Sequence, residues 1–173
     1  GNPTGGINRR WNIVKKQISS ETLQVDSGDL FYKSAPIPAF LLPQWNYQAE
    51  VLVDAYNELG VEFFVPGELD FAAGLGQFES LRQRAKFRFL AENIILKKSA
   101  KPYLEQGVIV RKGGKRVGIF GLVGDDIVLA PELIVSQSEQ AATAAVARLK
   151  RLGADVIIAL THQGLERDRT LAE

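Results

Sequence analysis

The sequence predicts an α/β protein in which a layered, mixed β-sheet sandwich is flanked by helices, formed by residues 1–173 as one domain. Three observations carry that reading. A helix-periodic segment gives way to a short apolar run three times along the chain. Those runs are nearly all apolar rather than alternating, as in strands covered on both faces. One further pair of apolar runs is joined through Gly113-Gly114, a turn that links antiparallel strands and makes the sheet mixed.

The elements follow in order. Ile7, Trp11, Val14 and Ile18 recur at spacings of three and four, with Arg9, Arg10, Lys15 and Lys16 between them, so the first segment reads as an amphipathic helix. "ETLQVDSGD" reads as a short strand ending at Asp26, followed by a turn that holds Gly28 and Asp29. A proline-punctuated loop leads to a second helix over Asn46–Gly60, stopped by its terminal glycine, and "VEFFV" is the next strand. A helix near Gln77–Lys86 and an apolar stretch, "FRFLAENIIL", precede the hairpin, which pairs Val108–Val110 with Val117–Phe120. The tail supplies a helix through "QSEQAATAAVARLKRLGA", a buried strand through "DVIIALTHQG" and the start of another helix in "LERDRTLAE".

Composition excludes several classes. Apolar residues make up 46% and charged residues 24%, a globular balance, and no segment approaches the roughly 18 uninterrupted apolar residues of a membrane span. A net charge of +1 gives no overall field for a nucleic acid polymer, and the basic stretches "LKKSAK" and "RKGGKR" read as a solvated loop and a hairpin tip. There is no cysteine, so disulfides and thiolate metal sites are ruled out. There is no methionine either, even at position 1, and the expectation is that the native start, with any targeting signal, lies upstream. Gly118, Gly121 and Gly124 loosely resemble a dinucleotide fingerprint, but the spacing is wrong and no helix pattern opens there.

In layered α/β sheets, polar sites collect just beyond the carboxyl ends of strands, where loops and free helix ends converge. Asp29 follows "LQVDSG", Glu68 follows "EFFVPG" and His162 follows "VIIALT". Carboxylate oxygen and imidazole nitrogen are donor types that Mn²⁺, Zn²⁺ and Fe accept, so the three are candidate metal ligands. Plainer roles stand beside this one: Asp29 capping its own turn, His162 as a satisfied structural side chain, Glu68 and Asp70 as loop or helix-cap carboxylates.

Taken together, the segments "LQVDSGDLFY", "YNELGVEFFVPGELDFAAG", "AENIILKKSAKPYLEQGVIVRKGGKRVGIFGLV" and "LKRLGADVIIALTHQGLERDRTLAE" resemble the N-terminal catalytic domain of 5'-nucleotidases among the calcineurin-like metallophosphoesterases, over nearly the whole chain. The resemblance implies a metal-dependent phosphoric ester hydrolase of nucleotide catabolism, acting on small phosphate esters with two divalent ions, and a periplasmic or extracellular setting. It places Asp29 on the family's metal-bridging acid and His162 on a metal-binding histidine. The family's Gly-Asn-His-Glu motif reads here as Gly67, Glu68, Leu69 and Asp70. Glu68 retains an oxygen donor, Leu69 can donate no proton, and Asp70, at the glutamate's position, is the remaining candidate for a catalytic role. The family's opening Asp-x-His and closing Gly-His-x-His motifs would fall before Gly1 and after Glu173, so the chain is expected to be incomplete at both ends. Its activity is therefore expected to be reduced or lost, and a non-catalytic module binding nucleotide, phosphate or a protein partner is the alternative.

Overall fold

The computed structural model describes residues 6–173. Helix α1 (Ile7–Val14) turns Ile7, Trp11 and Val14 onto the core and then loosens into turns, a full turn short of Ile18. Its Arg10 reaches inward, where it donates to the Tyr56 hydroxyl at 2.9 Å and lies over that ring. After β1 (Val25–Asp26), helix α2 (Leu42–Leu59) starts four residues earlier than the apolar period alone indicates. Pro43 explains the difference, because proline fits the first helical turn, where its missing N–H needs no partner. The helix ends as expected at Gly60, which adopts φ 72°.

β1, β2 (Phe63–Phe64) and β3 (Arg88–Phe89) form a parallel sheet in that order, with helix α3 (Leu75–Arg84) between the second and third. The stretch read as one apolar segment thus divides into β3 and β4 (Ile94–Leu96). β4 pairs antiparallel with β7 (Leu133–Val135). The third sheet has the order β5-β6-β8, built from β5 (Val108–Lys112), β6 (Lys115–Val123) and β8 (Val156–His162). Val108 faces Ile119 and Val110 faces Val117, so the hairpin forms in the expected register, with Gly113 and Gly114 at φ 57° and 68° in its turn. Helices α4 (Ser138–Arg151) and α5 (Leu165–Ala172) flank β8 in sequence.

The strand through "DVIIALTHQG" departs from expectation. Its apolar run predicts burial on both faces, yet Val156 and Ile158 are 47% and 36% exposed and only Leu160 of this strand is buried. β8 pairs with β6 alone among the described residues, and Ile157 packs toward the α4 core while its neighbours on the other face stay open. An apolar run reports that a strand can be covered, not how many sides of it are.

Two apolar clusters hold the layers. In the larger, Phe31 stacks on Phe64 at 5.5 Å, Phe64 meets Phe89 edge-on at 5.2 Å, and Phe71 stacks on Phe78 at 4.2 Å. These rings sit two residues after Asp29, four before Glu68 and one after Asp70, so the same packing that fills the core clamps the loops above it. In the smaller, Ala142, Ala145 and Leu149 of α4 meet Phe120 and Leu122 of β6. The buried Glu92 carboxylate clips this helix to the sheet, accepting from Arg148 at 2.5 Å and from the Gly107 N–H at 2.6 Å. No described helix is long and apolar enough to cross a membrane.

Candidate metal centre

Three strands from two sheets, the parallel pair β1 and β2 and the separate β8, end at one edge of the domain. β1 ends at Asp26 and runs into Ser27, Gly28 and Asp29; β2 ends at Phe64 and runs through Pro66 and Gly67 to Glu68; β8 ends at His162. The loops touch because two glycines permit it. A Cβ on Gly28, at φ 95°, would collide with the backbone of Val65 and Gly67, and one on Gly67 would collide with the Asp29 carboxylate and the His162 ring.

The predicted ligands meet there. One donor atom each from Asp29, Glu68 and His162 lie within 4.8 Å of one another, all three residues half-buried. His162 Nε2 stands 3.2 Å from Glu68 Oε2 and 3.6 Å from Asp29 Oδ2. Its Nδ1 lies 2.6 Å from the Ser27 carbonyl oxygen, which can only accept, so Nδ1 carries the hydrogen. Nε2 thus faces two carboxylates, and in the neutral ring it is the nitrogen that offers them a lone pair. Acceptors arranged this way are held together by a shared cation or proton, and one nitrogen with two oxygens is a donor set suited to a divalent ion with open positions for water or a phosphoryl oxygen.

Asp70, the candidate for a catalytic role, lies beneath the cluster. It is fully buried, and its carboxylate accepts four backbone N–H groups, from Asp29, Leu30, Phe31 and Gly67, each at 2.9 Å. Burial pushes its carboxyl up to about 6, against the downward pull of those four donors. Asp70 thereby ties the loop of Asp29 to the loop of Glu68. Asp29 itself sits at φ 54°, a conformation that few non-glycine residues adopt, and its Oδ1 accepts the Leu69 N–H at 2.9 Å.

Beside the cluster opens a depression of about 450 Å³ lined by Ser27, Glu68, Asp126, Ile127, His162 and Asp168, among others. Arg167 pairs with Asp126 across its rim and holds that carboxyl below its ordinary range. Gln163 donates to Asp168 at 3.0 Å, while its buried Oε1 has no protein partner. Sequence reasoning missed Asp126, Asp168, Gln163 and the Ser27 carbonyl. Only the five-residue step from Gln163 to Asp168 across a helix start could have signalled any of them.

No family model matches the chain. It is 25% identical over 189 aligned residues to a 2',3'-cyclic-nucleotide 2'-phosphodiesterase/3'-nucleotidase of Yersinia enterocolitica, an alignment covering 97% of this chain and 29% of that protein. A 5'-nucleotidase precursor from Thermus thermophilus superposes with a TM-score of 0.81 at 24% identity, over 98% of this chain and 34% of that one. A calcineurin-like phosphoesterase from Bacillus subtilis superposes with a TM-score of 0.74 at 24% identity, over 94% of this chain and 55% of that one. The chain carries the calcineurin-like phosphoesterase fold. Its matched relatives and structural neighbours include nucleotidases, cyclic-nucleotide phosphodiesterases, an apyrase, a sulfate thiohydrolase and a calcineurin-like phosphoesterase, and it spans less than a third of the length of the curated relatives it matches. The strand-end edge of this phosphoesterase fold is where Asp29, Glu68 and His162 converge.

Proposed function

We propose that this chain is a divalent-cation-dependent phosphoesterase domain acting on small phosphate esters, with nucleotides as the substrate class and Mn²⁺, Zn²⁺ or Fe as the ion. The observation that carries the reading is the His162 ring, fixed by the Ser27 carbonyl so that Nε2 faces the Asp29 and Glu68 carboxylates. Asp29, Glu68 and His162 would hold the ion. A bound divalent ion supplies Lewis-acid polarisation of a phosphoryl oxygen and lowers the pKa of its water. The chain's own residues do the rest. Asp70 fixes the two loops, Gly67 keeps the space between Asp29 and His162 clear, and the 450 Å³ depression gives an ester room beside the ligands. Leu69 offers no proton to a leaving group, an omission typically worth ~10² to 10⁴ in rate, so turnover is expected to be slow. That same residue favours the second reading, a domain that binds a cation and a phosphate group without turnover. The family resemblance also implies a setting outside the cytoplasm, to be checked by cell fractionation.

Titration calorimetry with Mn²⁺ and Zn²⁺, followed by assays on p-nitrophenyl phosphate, bis-p-nitrophenyl phosphate and nucleotides, tests this. The expected outcome is near-stoichiometric cation binding and slow, cation-dependent hydrolysis, with His162→Ala and Asp29→Asn each weakening cation binding at least about tenfold. Cation binding without hydrolysis would select the second reading. Unchanged cation affinity in both variants would overturn the assignment of the ligands.

A further inference from the structure

The candidate ligands come from two different sheets, so their spacing depends on how those sheets are joined. Asp29 and Glu68 follow β1 and β2 of the first sheet, and His162 ends β8 of the third. Residues 90–93, between β3 and β4, make the join. On one side the Leu90 N–H donates to the Phe64 carbonyl of β2 at 2.9 Å; on the other the Glu92 N–H donates to the Gly121 carbonyl of β6 at 2.9 Å.

Asn93 completes the join with its side chain. It is fully buried, and toward the last residue of β6 its amide acts as the peptide group of a neighbouring strand would: Oδ1 accepts the Val123 N–H at 3.0 Å and Nδ2 donates to the Val123 carbonyl at 2.8 Å. Nδ2 also donates to the Ser136 carbonyl at 3.2 Å, and the Ser136 N–H returns to the Asn93 carbonyl at 2.9 Å. Aspartate would set an oxygen against two carbonyls and leucine would leave all three groups unpaired, so among side chains of this size only asparagine serves. Val123 is the register partner of His162, and the next N–H, that of Gly124, donates to the His162 carbonyl at 2.9 Å. The backbone that carries the imidazole is thus held by the end of β6, and the other edge of that end is held by Asn93.

We propose that Asn93 is a positioning residue of the candidate metal centre, fixing His162 at the spacing from Asp29 and Glu68 that shared cation binding requires. The proposal rests on the ligand assignment above and is independent of how many cations the site takes.

Two variants separate positioning from stability. Leu149 is also fully buried, but it packs at Gly118, toward the start of β6, so Leu149→Ala loosens the same sheet away from the site. His162 is the single histidine, and its ring resonances therefore report the site in the cation-free protein. Asn93→Ala should move those resonances toward free imidazole, as the Nδ1 bond to Ser27 weakens, and should lower Zn²⁺ affinity about tenfold by calorimetry. Leu149→Ala should do neither, at an equal or greater loss of Tm. The unaltered protein supplies a measurement that needs no variant to fold: by reciprocity, Zn²⁺ should slow hydrogen exchange at the Val123 amide and leave the Gly118 amide unchanged. Unmoved ring resonances in Asn93→Ala, equal losses of affinity in the two variants, or a Val123 amide indifferent to bound Zn²⁺ would overturn the positioning role, while the phosphoesterase reading stands. An unaltered protein that binds no Zn²⁺, although Asn93→Ala moves the ring, would overturn that reading and leave Asn93 as the residue that positions His162.

Discussion

Asp70 shows how one side chain can serve a site without touching what the site holds. A carboxylate has four lone-pair positions, and here each meets a backbone N–H, two from each side of the group. Asparagine in its place would turn two of those acceptors into donors facing donors. Charge-assisted hydrogen bonds contribute about 1.5 to 3 kcal/mol each, and buried unpaired N–H groups cost more than the lost bond. Asp70→Asn should therefore destabilise the domain by about 3 kcal/mol or more, lowering Tm by roughly 6 to 12 °C for a chain of this size. Because the loop of Asp29 would lose its anchor at φ 54°, the same variant should also weaken Mn²⁺ binding, although Asp70 is not a ligand. A Tm within 2 °C of the parent, by differential scanning calorimetry, would show that the four contacts are incidental.

The elements show which part of this was legible beforehand and why. The hairpin through Gly113-Gly114 and the stop at Gly60 were readable, because positive φ leaves a residue-specific mark that survives any tertiary context. That Asp29, Glu68 and His162 would come together was readable for a different reason: polar residues just past the carboxyl ends of strands in a layered α/β fold collect at one edge. The task of Asp70 was not, since a carboxylate one residue past Leu69 has the same signature whether it faces solvent or a nest of amides. Nor was the exposure of β8, because hydropathy along a strand carries no count of its neighbours. Gly121 is another such case. On β6, a Cβ there would collide with the Leu90 carbonyl and the Val65 side chain, where the third sheet leans on the strands that feed the site. Overpacking against backbone costs about 1 to 3 kcal/mol, so Gly121→Ala should lower stability by that amount. Hydrogen exchange should locate the loss at β6 and Leu90. Protection unchanged at those amides would mean that the sheets separate more easily than their packing indicates.

At the scale of the whole molecule, three tyrosines join segments far apart in sequence, and their protonation reads out the integrity of the fold. The Tyr32 hydroxyl donates to Asn46 at 2.9 Å, and burial pushes its pKa up to about 12. The Tyr56 hydroxyl donates to Asp26 at 2.8 Å, between α2 and β1; burial first, then the Asp26 charge, raises it further. Tyr103 donates to Glu79 of α3 and is raised by burial and then by that carboxylate. In each case the fold favours the neutral phenol, so the folded pKa exceeds the unfolded value of about 10. The sign follows directly. The contribution is complete below pH 10, and it is lost as pH rises from there through the folded values, because the unfolded chain then releases protons that the folded chain keeps. Stability should accordingly be level with respect to these groups up to about pH 10 and fall steeply between about 10 and 12. Absorbance at 295 nm during an alkaline titration gives the check, with far-ultraviolet circular dichroism recorded in parallel. Three of the four tyrosines should ionise together with loss of secondary structure rather than before it. Reversible ionisation of all four near pH 10, with the helices intact, would show that Tyr32, Tyr56 and Tyr103 are not the buried ties between α2, β1 and α3 that the geometry makes them.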